Sequence, residues 1–86
     1  MSKYQKNNKY IVKALIDTIL FIETSPQEII DEDAGVALME QIAYELRLMD
    51  GVSKNELSQL IMELDSEYPA DKKDFIKSIP ERLGIF

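Results

Sequence analysis

The chain of 86 residues contains neither histidine nor cysteine. Histidine is the side chain that most often acts as a general base near neutral pH, and the cysteine thiolate is the strongest nucleophile. Both residues are also the best protein ligands for transition metals. Most enzyme classes, zinc sites and disulfides are therefore excluded, and no carboxylate pair stands out as a replacement. We expect no catalytic residue, no metal and no cofactor.

No long uninterrupted apolar run is present either. Residues 10–22 hold ten apolar residues in thirteen, but Lys13 and Asp17 interrupt them. A membrane span needs about 20 consecutive apolar residues. The residues that follow, 23–26, lack the small-x-small pattern of a signal-peptide cleavage site. We therefore expect no membrane contact and no signal peptide, and the lack of cysteine makes the cytoplasm the default location.

The three glycines are too scattered to form a phosphate-binding loop. The acidic triplet 31–33 resembles the start of a calcium-binding loop. An EF-hand loop, however, places oxygen ligands at its first, third and fifth positions and glycine at the sixth. Here Gly35 occupies the fifth position and Val36 the sixth, so the register fails. Capping of a helix N-terminus explains the triplet.

The net charge of −6 is unevenly distributed along the chain. Residues 1–13 carry four lysines and no acid, whereas residues 23–67 carry twelve acids against Arg47 and Lys54, a balance of −10. Such a field repels nucleic acid and anionic lipid and attracts basic protein surfaces. We expect a basic protein partner and no bound nucleic acid. Two alternatives stay open: the charge serves solubility alone, or the acidic surface imitates nucleic acid.

The spacing of apolar residues predicts an all-α fold in a single domain, residues 1–86. The predicted helices cover about 8–23, 34–49, 54–68 and 71–79, with a short turn near 26–30 and a frayed basic arm at 1–7. Short connections favour a small bundle of about four helices. We expect the helix that contains residues 10–22 to be central, because its two apolar stripes need cover on both sides.

Residues that favour helix ends mark the predicted boundaries. The expected N-terminal caps are Ser25 and Ser53, each with a glutamate three residues later, together with Asp31 or Asp33, and Asp71. The expected stops are Gly51 in a left-handed conformation, Pro69 and Pro80. The apolar C-terminal residues after Pro80 are expected to dock onto the core.

The predicted core consists of one stripe from each of the later helices. The second helix contributes Leu38, Met39, Ile42, Leu46 and Met49, the third contributes Leu57, Leu60, Ile61, Leu64 and Tyr68, and the fourth contributes Phe75, Ile76 and Ile79.

The other face of the second helix is the candidate binding site. Ala37, Gln41, Tyr44 and Leu48 follow each other at helical spacing, flanked by Glu40, Glu45 and Arg47. An apolar and aromatic centre with a charged rim is typical of a protein-binding hot spot. The alternative is that Tyr44 and Leu48 pack against the first helix. Met62, in the third helix, likewise belongs either to the core or to an interface. The predicted partner-binding residues are Glu40, Gln41, Tyr44, Glu45, Arg47 and Leu48, with Asp31, Glu32 and Asp33.

Two segments carry a family resemblance: IIDEDAGVALMEQIAYELRLM at 29–49 and the closing FIKSIPERLGIF at 75–86. They resemble small acidic all-helical immunity proteins of bacterial toxin systems. The resemblance implies a non-enzymatic cytoplasmic protein that binds a toxin domain and blocks its active site or substrate groove. The residues themselves leave two other functions open: a structural or regulatory module that self-associates as a homodimer through the same face, and an inhibitor that mimics nucleic acid. Monomer and homodimer are both compatible with the sequence.

Overall fold

The computed structural model describes residues 6–85, and the side chains from residue 8 onward. This part of the chain is helical and contains no strand. Its helices are α1 (Lys6–Thr24), α2 (Glu32–Arg47), α3 (Gly51–Glu63) and α4 (Lys73–Leu83), with 3₁₀ segments at Leu64–Glu67 and Ala70–Lys72. The predicted all-α class and the four helices are confirmed. Residues 6 and 7 of the predicted frayed arm belong to α1, and its first five residues lie outside the described part.

The four helices pack as a closed ring around one core. α1 contacts α2 and α3, and α4 contacts the same two helices. Every helix contributes to the buried cluster, which contains Val12, Ile16, Ile19, Ala43, Leu60, Ile61, Leu64, Ile76, Ile79, Leu83 and Ile85. The predicted stripes of α3 and α4 are confirmed, with Leu57, Tyr68 and Phe75 half-buried at their edges.

α1 is buried along one side only. Val12, Ile16 and Ile19 face the core, whereas the side chain of Ile11 is 66% exposed and Phe21 is also at the surface. One predicted stripe, formed by Val12, Ile16, Ile19 and Leu20, is covered. In the other, formed by Ile11, Leu15, Thr18 and Ile22, Ile22 is buried and Leu15 is half-buried, so the expected cover is wrong only for Ile11 and Thr18. The reason is the ring arrangement, in which α1 packs closely against α2 and α3 and keeps an outer side.

α2 turns most of the predicted stripe to the core: Met39, Ile42 and Leu46 are half-buried and pack against the buried cluster, and Met49 is half-buried as well. Gly35 and Ala43 are buried, whereas Leu38 is 46% exposed, so its assignment to the core is wrong. A Cβ atom on Gly35 would lie 3.4 Å from the Ile30 side chain and 3.5 Å from that of Ile22. These two small residues share the buried side of α2 with Met39, Ile42 and Leu46, and Leu38 lies at the edge of that side, where it is exposed.

Aspartates cap α2 and α3. The Ala34 N–H donates to Asp31 Oδ2 at 3.0 Å, so Asp31 rather than Asp33 caps α2. The Ser53 N–H donates to Asp50 Oδ1 at 2.7 Å, and this hydrogen bond lowers the pKa of the Asp50 carboxyl. The predicted Ser53 cap is wrong, because Asp50 starts α3 three residues earlier than expected. Gly51 is then the first residue of α3, not a left-handed end of α2.

The other predicted caps fail as well. Residues 26–30 form the expected turn, in which the Ile29 and Ile30 N–H groups donate to the Pro26 carbonyl. Ser25 and Glu28 make no capping hydrogen bond within the described residues. α4 begins without a side-chain cap, because Asp71 lies inside the preceding 3₁₀ segment.

Pro69 follows the 3₁₀ segment that continues α3, as predicted. Pro80, in contrast, does not end α4. The helix continues to Leu83 and closes in a Schellman motif, in which Gly84 has φ 70°. The Ile85 N–H donates to the Pro80 carbonyl at 3.0 Å, and the Gly84 N–H donates to the Glu81 carbonyl at 3.1 Å. Ile85 is 2% exposed, which confirms that the C-terminal segment docks onto the core. Phe86 lies outside the described residues.

Polar contacts join Glu67 and Tyr68, at the end of the first 3₁₀ segment, to α1. Glu67 accepts Lys9 Nζ at 2.7 Å and Lys13 Nζ at 3.0 Å. The hydrogen bonds of these lysines lower the pKa of Glu67, and the Glu67 carboxylate raises the pKa of Lys9. The Tyr68 hydroxyl donates to Asp17 Oδ1 at 2.6 Å. Burial, followed by this hydrogen bond, raises the pKa of the Tyr68 phenol.

The Glu67 contacts predict a specific pH dependence of stability. A carboxyl whose pKa is lowered by folding stabilises the protein above its unfolded pKa, near 4.5, and the stabilisation is lost as the pH falls through the folded pKa. We expect Glu67→Gln to lower the free energy of unfolding at neutral pH, by an amount that shrinks in acid. Urea titrations of both proteins along a pH series measure this difference. Glu28→Gln removes a carboxylate that forms no ion pair within residues 8–85 and is the matched control; a pH-independent Glu67→Gln effect would contradict the prediction.

The Schellman motif generates a second stability prediction. We expect Gly84→Ala to lower the free energy of unfolding by about 1–2 kcal/mol, because a left-handed backbone is unfavourable for alanine. The new Cβ would also stand 3.1 Å from Arg47 Cδ. Gly51→Ala is the control, since nothing lies within 4 Å of its Cβ position, and it should be neutral or stabilising by up to about 1 kcal/mol. Equal destabilisation in thermal or urea unfolding would show that the left-handed turn is not the cause.

Candidate protein-binding surface

The outer face of α2 carries Gln41, Tyr44, Glu45 and Leu48, and we call these four residues the α2 patch. Tyr44 is 54% exposed and Leu48 is 66% exposed, and they stand one helical turn apart. The opposite side of the same helix holds Gly35 and the rest of the core contacts, so the α2 patch points away from the bundle. The alternative in which Tyr44 and Leu48 pack against the first helix is therefore wrong.

A hydrogen bond orders the polar part of the α2 patch. Gln41 Nε2 donates to Glu45 Oε2 at 3.1 Å across one helical turn. Exposed Ala37 and Leu38 continue the apolar surface toward the N-terminus of α2. Leu38 is a surface residue that the sequence interpretation missed. The signal that could have revealed it is the pair of small residues, Gly35 and Ala43, which mark the closely packed side of the helix.

Glu40 and Arg47 lie apart from the α2 patch, in a groove of about 390 Å³ where the end of α1 meets α2 and α4. Val36, Met39 and Ala43 line this groove, together with Glu23 and Arg82. The Arg47 side chain covers Gly84 at the end of α4. The structure thus directs Arg47 toward α4 instead of toward Tyr44 and Leu48.

Arg82, on the α4 side of the same groove, is held by three neighbours. Its guanidinium lies 3.5 Å from Glu23 Oε1, and its Nε donates to the Ser78 hydroxyl at 2.8 Å. The guanidinium carbon also lies 4.7 Å from the centre of the Phe75 ring, a cation–π contact. The positive charge of Arg82 is therefore largely engaged inside the protein.

The acidic triplet forms a third, separate location. Asp31 is occupied by its capping hydrogen bond, and Glu32 Oε2 accepts Gln27 Nε2 at 2.8 Å. Asp33 is exposed. Tyr44 lies eleven positions after Asp33 on the helix, which corresponds to roughly 17 Å along the axis. The structure therefore divides the nine predicted partner-binding residues into the α2 patch, the groove pair Glu40 and Arg47, and the capping triplet.

The acids of α2 are not neutralised by the described residues. The ion pairs in residues 8–85 involve the carboxylates of Glu23, Asp65 and Glu67, none of which belongs to α2. Glu40 and Glu45 form no ion pair in this part of the chain. The face of α2 that points outward is therefore negatively charged as well as partly apolar.

Within the described residues, no three acidic side chains are placed so that they could hold a metal ion. None of the helices in the same part of the chain combines the length and apolar character that are required to cross a bilayer.

Comparisons with known proteins gave no match. No family model matches the chain, and no curated protein or solved structure matches it at a significant level.

Proposed function

We propose that this protein is a non-enzymatic binding module that contacts a basic protein through the outer face of α2. The main support for this proposal is that Tyr44 and Leu48 are exposed one turn apart on a helix whose other side is buried. In the finer form of the proposal, the module is a cytoplasmic immunity or inhibitor protein that covers the basic active site or substrate groove of a bacterial toxin domain.

The α2 patch has the composition of an interface centre. Tyrosine is enriched at hot spots because its ring buries a large area at low cost in side-chain entropy, while its hydroxyl still finds a polar partner. Leu48 adds apolar area beside it, and the hydrogen-bonded pair Gln41 and Glu45 is already ordered in the free protein. Side chains that are ordered before binding lose less entropy when a partner arrives.

The charge around the α2 patch favours a basic partner. Glu45 lies in the α2 patch, and Glu40 and the acidic triplet add negative charge elsewhere on α2 and at its start. None of these carboxylates forms an ion pair within residues 8–85. Complementary charge accelerates encounter, while the buried apolar centre of an interface slows dissociation. A toxin domain that acts on nucleic acid would offer such a basic surface, since it must bind phosphates.

The same charge makes self-association through this face a weaker candidate. In a homodimer with two-fold symmetry, the same patch occurs on both sides of the interface. Two copies of the negatively charged face would then be brought together, and like charges at an interface cost free energy. A basic partner removes that cost.

Affinity capture with three versions of the protein tests the proposal. The wild type, Tyr44→Ala/Leu48→Ala and the control Tyr10→Ala serve as baits in lysate of the source cell. Tyr10 is the matched control because it is an exposed tyrosine on a different helix, 65% accessible against 54% for Tyr44. We expect one basic protein to be retained by the wild type and by Tyr10→Ala and to be lost with the double variant.

The captured protein is then purified for measurement of Kd. Truncation of a hot-spot residue costs at least about 2 kcal/mol, so we expect Tyr44→Ala to weaken binding about 30-fold and Tyr10→Ala to change it little. Binding should also weaken as salt is raised. A Kd that is insensitive both to Tyr44→Ala and to salt would refute the site. A stable dimer in sedimentation that dissociates on Tyr44→Ala would instead support self-association.

A further inference from the structure

A second surface with a different architecture lies between α3 and α4. It is a groove of about 540 Å³, and its apolar part is formed by exposed Met62 from α3, together with Pro80 of α4, which is itself buried. Met62 is 42% exposed, although the helix around it is anchored by buried Leu60, Ile61 and Leu64. Ser58 reaches the groove from the core side and is the one buried polar residue among those described.

Charged side chains from both helices border this apolar centre. Glu63 stands on the α3 side and Glu81 on the α4 side, and neither forms an ion pair within residues 8–85. Lys77, the one cation that lines the groove, has its Nζ 3.6 Å from Asp65 Oδ2. The groove therefore combines the exposed Met62 with two carboxylates that form no ion pair within the described residues.

We propose that this groove is a second docking site, which binds a short segment of a partner protein that carries an apolar side chain next to lysine or arginine. The apolar side chain would contact Met62 and Pro80, and the neighbouring cation would lie between Glu63 and Glu81. The unbranched, polarizable side chain of methionine adapts readily to the shape of an apolar partner. The groove volume falls in the range of about 300–1,000 Å³ that is usual for binding pockets.

The site is independent of the α2 patch. None of the four α2 patch residues lines the groove, and none of the groove residues belongs to α2. Substitution of Tyr44 should consequently leave binding at the groove unchanged, and failure of one site is distinguishable from failure of the other.

Methyl NMR of the full chain labelled with ¹³C-methionine provides the test. The probe is a short synthetic peptide of alternating leucine and lysine pairs, and a matched peptide carries glutamate in place of lysine. We expect the lysine peptide to shift the methyl signal of Met62, which is assigned through Met62→Leu, while the signals of half-buried Met39 and Met49 stay in place. The glutamate peptide should shift none of the three. A Met62 signal that does not respond to the lysine peptide would overturn the proposal.

Affinity measurements separate the groove from general attraction to an acidic protein. Glu63→Gln/Glu81→Gln should weaken binding of the lysine peptide about tenfold, since each exposed charge pair contributes modestly. Glu28→Gln/Asp71→Asn removes the same amount of charge outside both proposed sites and should weaken it less than about threefold. Met62→Ser should abolish most of the binding, whereas Met62→Leu, which keeps the apolar volume, should retain it. Equal weakening by the two double variants would overturn the proposal.

Discussion

The close approach of α2 to its neighbours at Gly35 and Ala43 decides what the rest of the surface looks like. Gly35 lies against Ile22 of α1 and Ile30 of the preceding turn, with no room for a side chain much larger than a methyl group. Because this line of small residues faces inward, the opposite line, with Tyr44 and Leu48, must face outward. The exposed apolar surface of α2 is thus a geometric consequence of how the core is closed. A bulky residue at position 35 or 43 would force α2 away from the ring or rotate the helix, and either change would alter both the core and the α2 patch.

Six cations among the described residues contact other groups of the protein. Lys9, Lys13, Lys77 and Arg82 all form ion pairs within the protein, with Glu67, Asp65 and Glu23. Within the acidic stretch, Lys54 Nζ donates to the Arg47 carbonyl at the end of α2, and Arg47 covers Gly84. These positive groups hold helices together or cover helix ends, while most carboxylates remain at the surface. The local excess of negative charge seen in the sequence is therefore carried into the folded surface, where it can act on a partner.

The sequence was sufficient for the fold class and for the burial of α3 and α4, because periodic leucine and isoleucine report a buried face directly. It was insufficient where two residues competed for one role. Asp50 and Ser53 are both good caps, and only the backbone conformation of residue 50 decides between them. Leu38 was assigned to the core because a large apolar side chain outweighs glycine and alanine in any hydrophobic pattern, although the small residues mark the tighter contact. Pro80 was expected to stop α4, but the Schellman hydrogen bonds and the burial of Leu83 and Ile85 stabilise the turn of helix that follows it. For the candidate site, the pattern of large residues placed Tyr44 and Leu48 on the face opposite the predicted core stripe, but only the packing of the helices shows that no neighbouring helix covers that face.

Substitutions of the exposed apolar residues can change binding without unfolding the protein, unlike substitutions in the core. A domain of this size buries too little surface for a large stability margin, so substitutions in its core are expected to reduce the folded population. Tyr44, Leu48 and Met62 lie outside the buried cluster and are exposed, Met62 least of the three at 42%. Their truncation removes less of what holds the helices together than truncation of a core residue, because a large part of their apolar area is still in contact with water in the free protein. The free energy released by burying them is available only on association, and a change in binding after their substitution therefore reports on an interface and not on the fold.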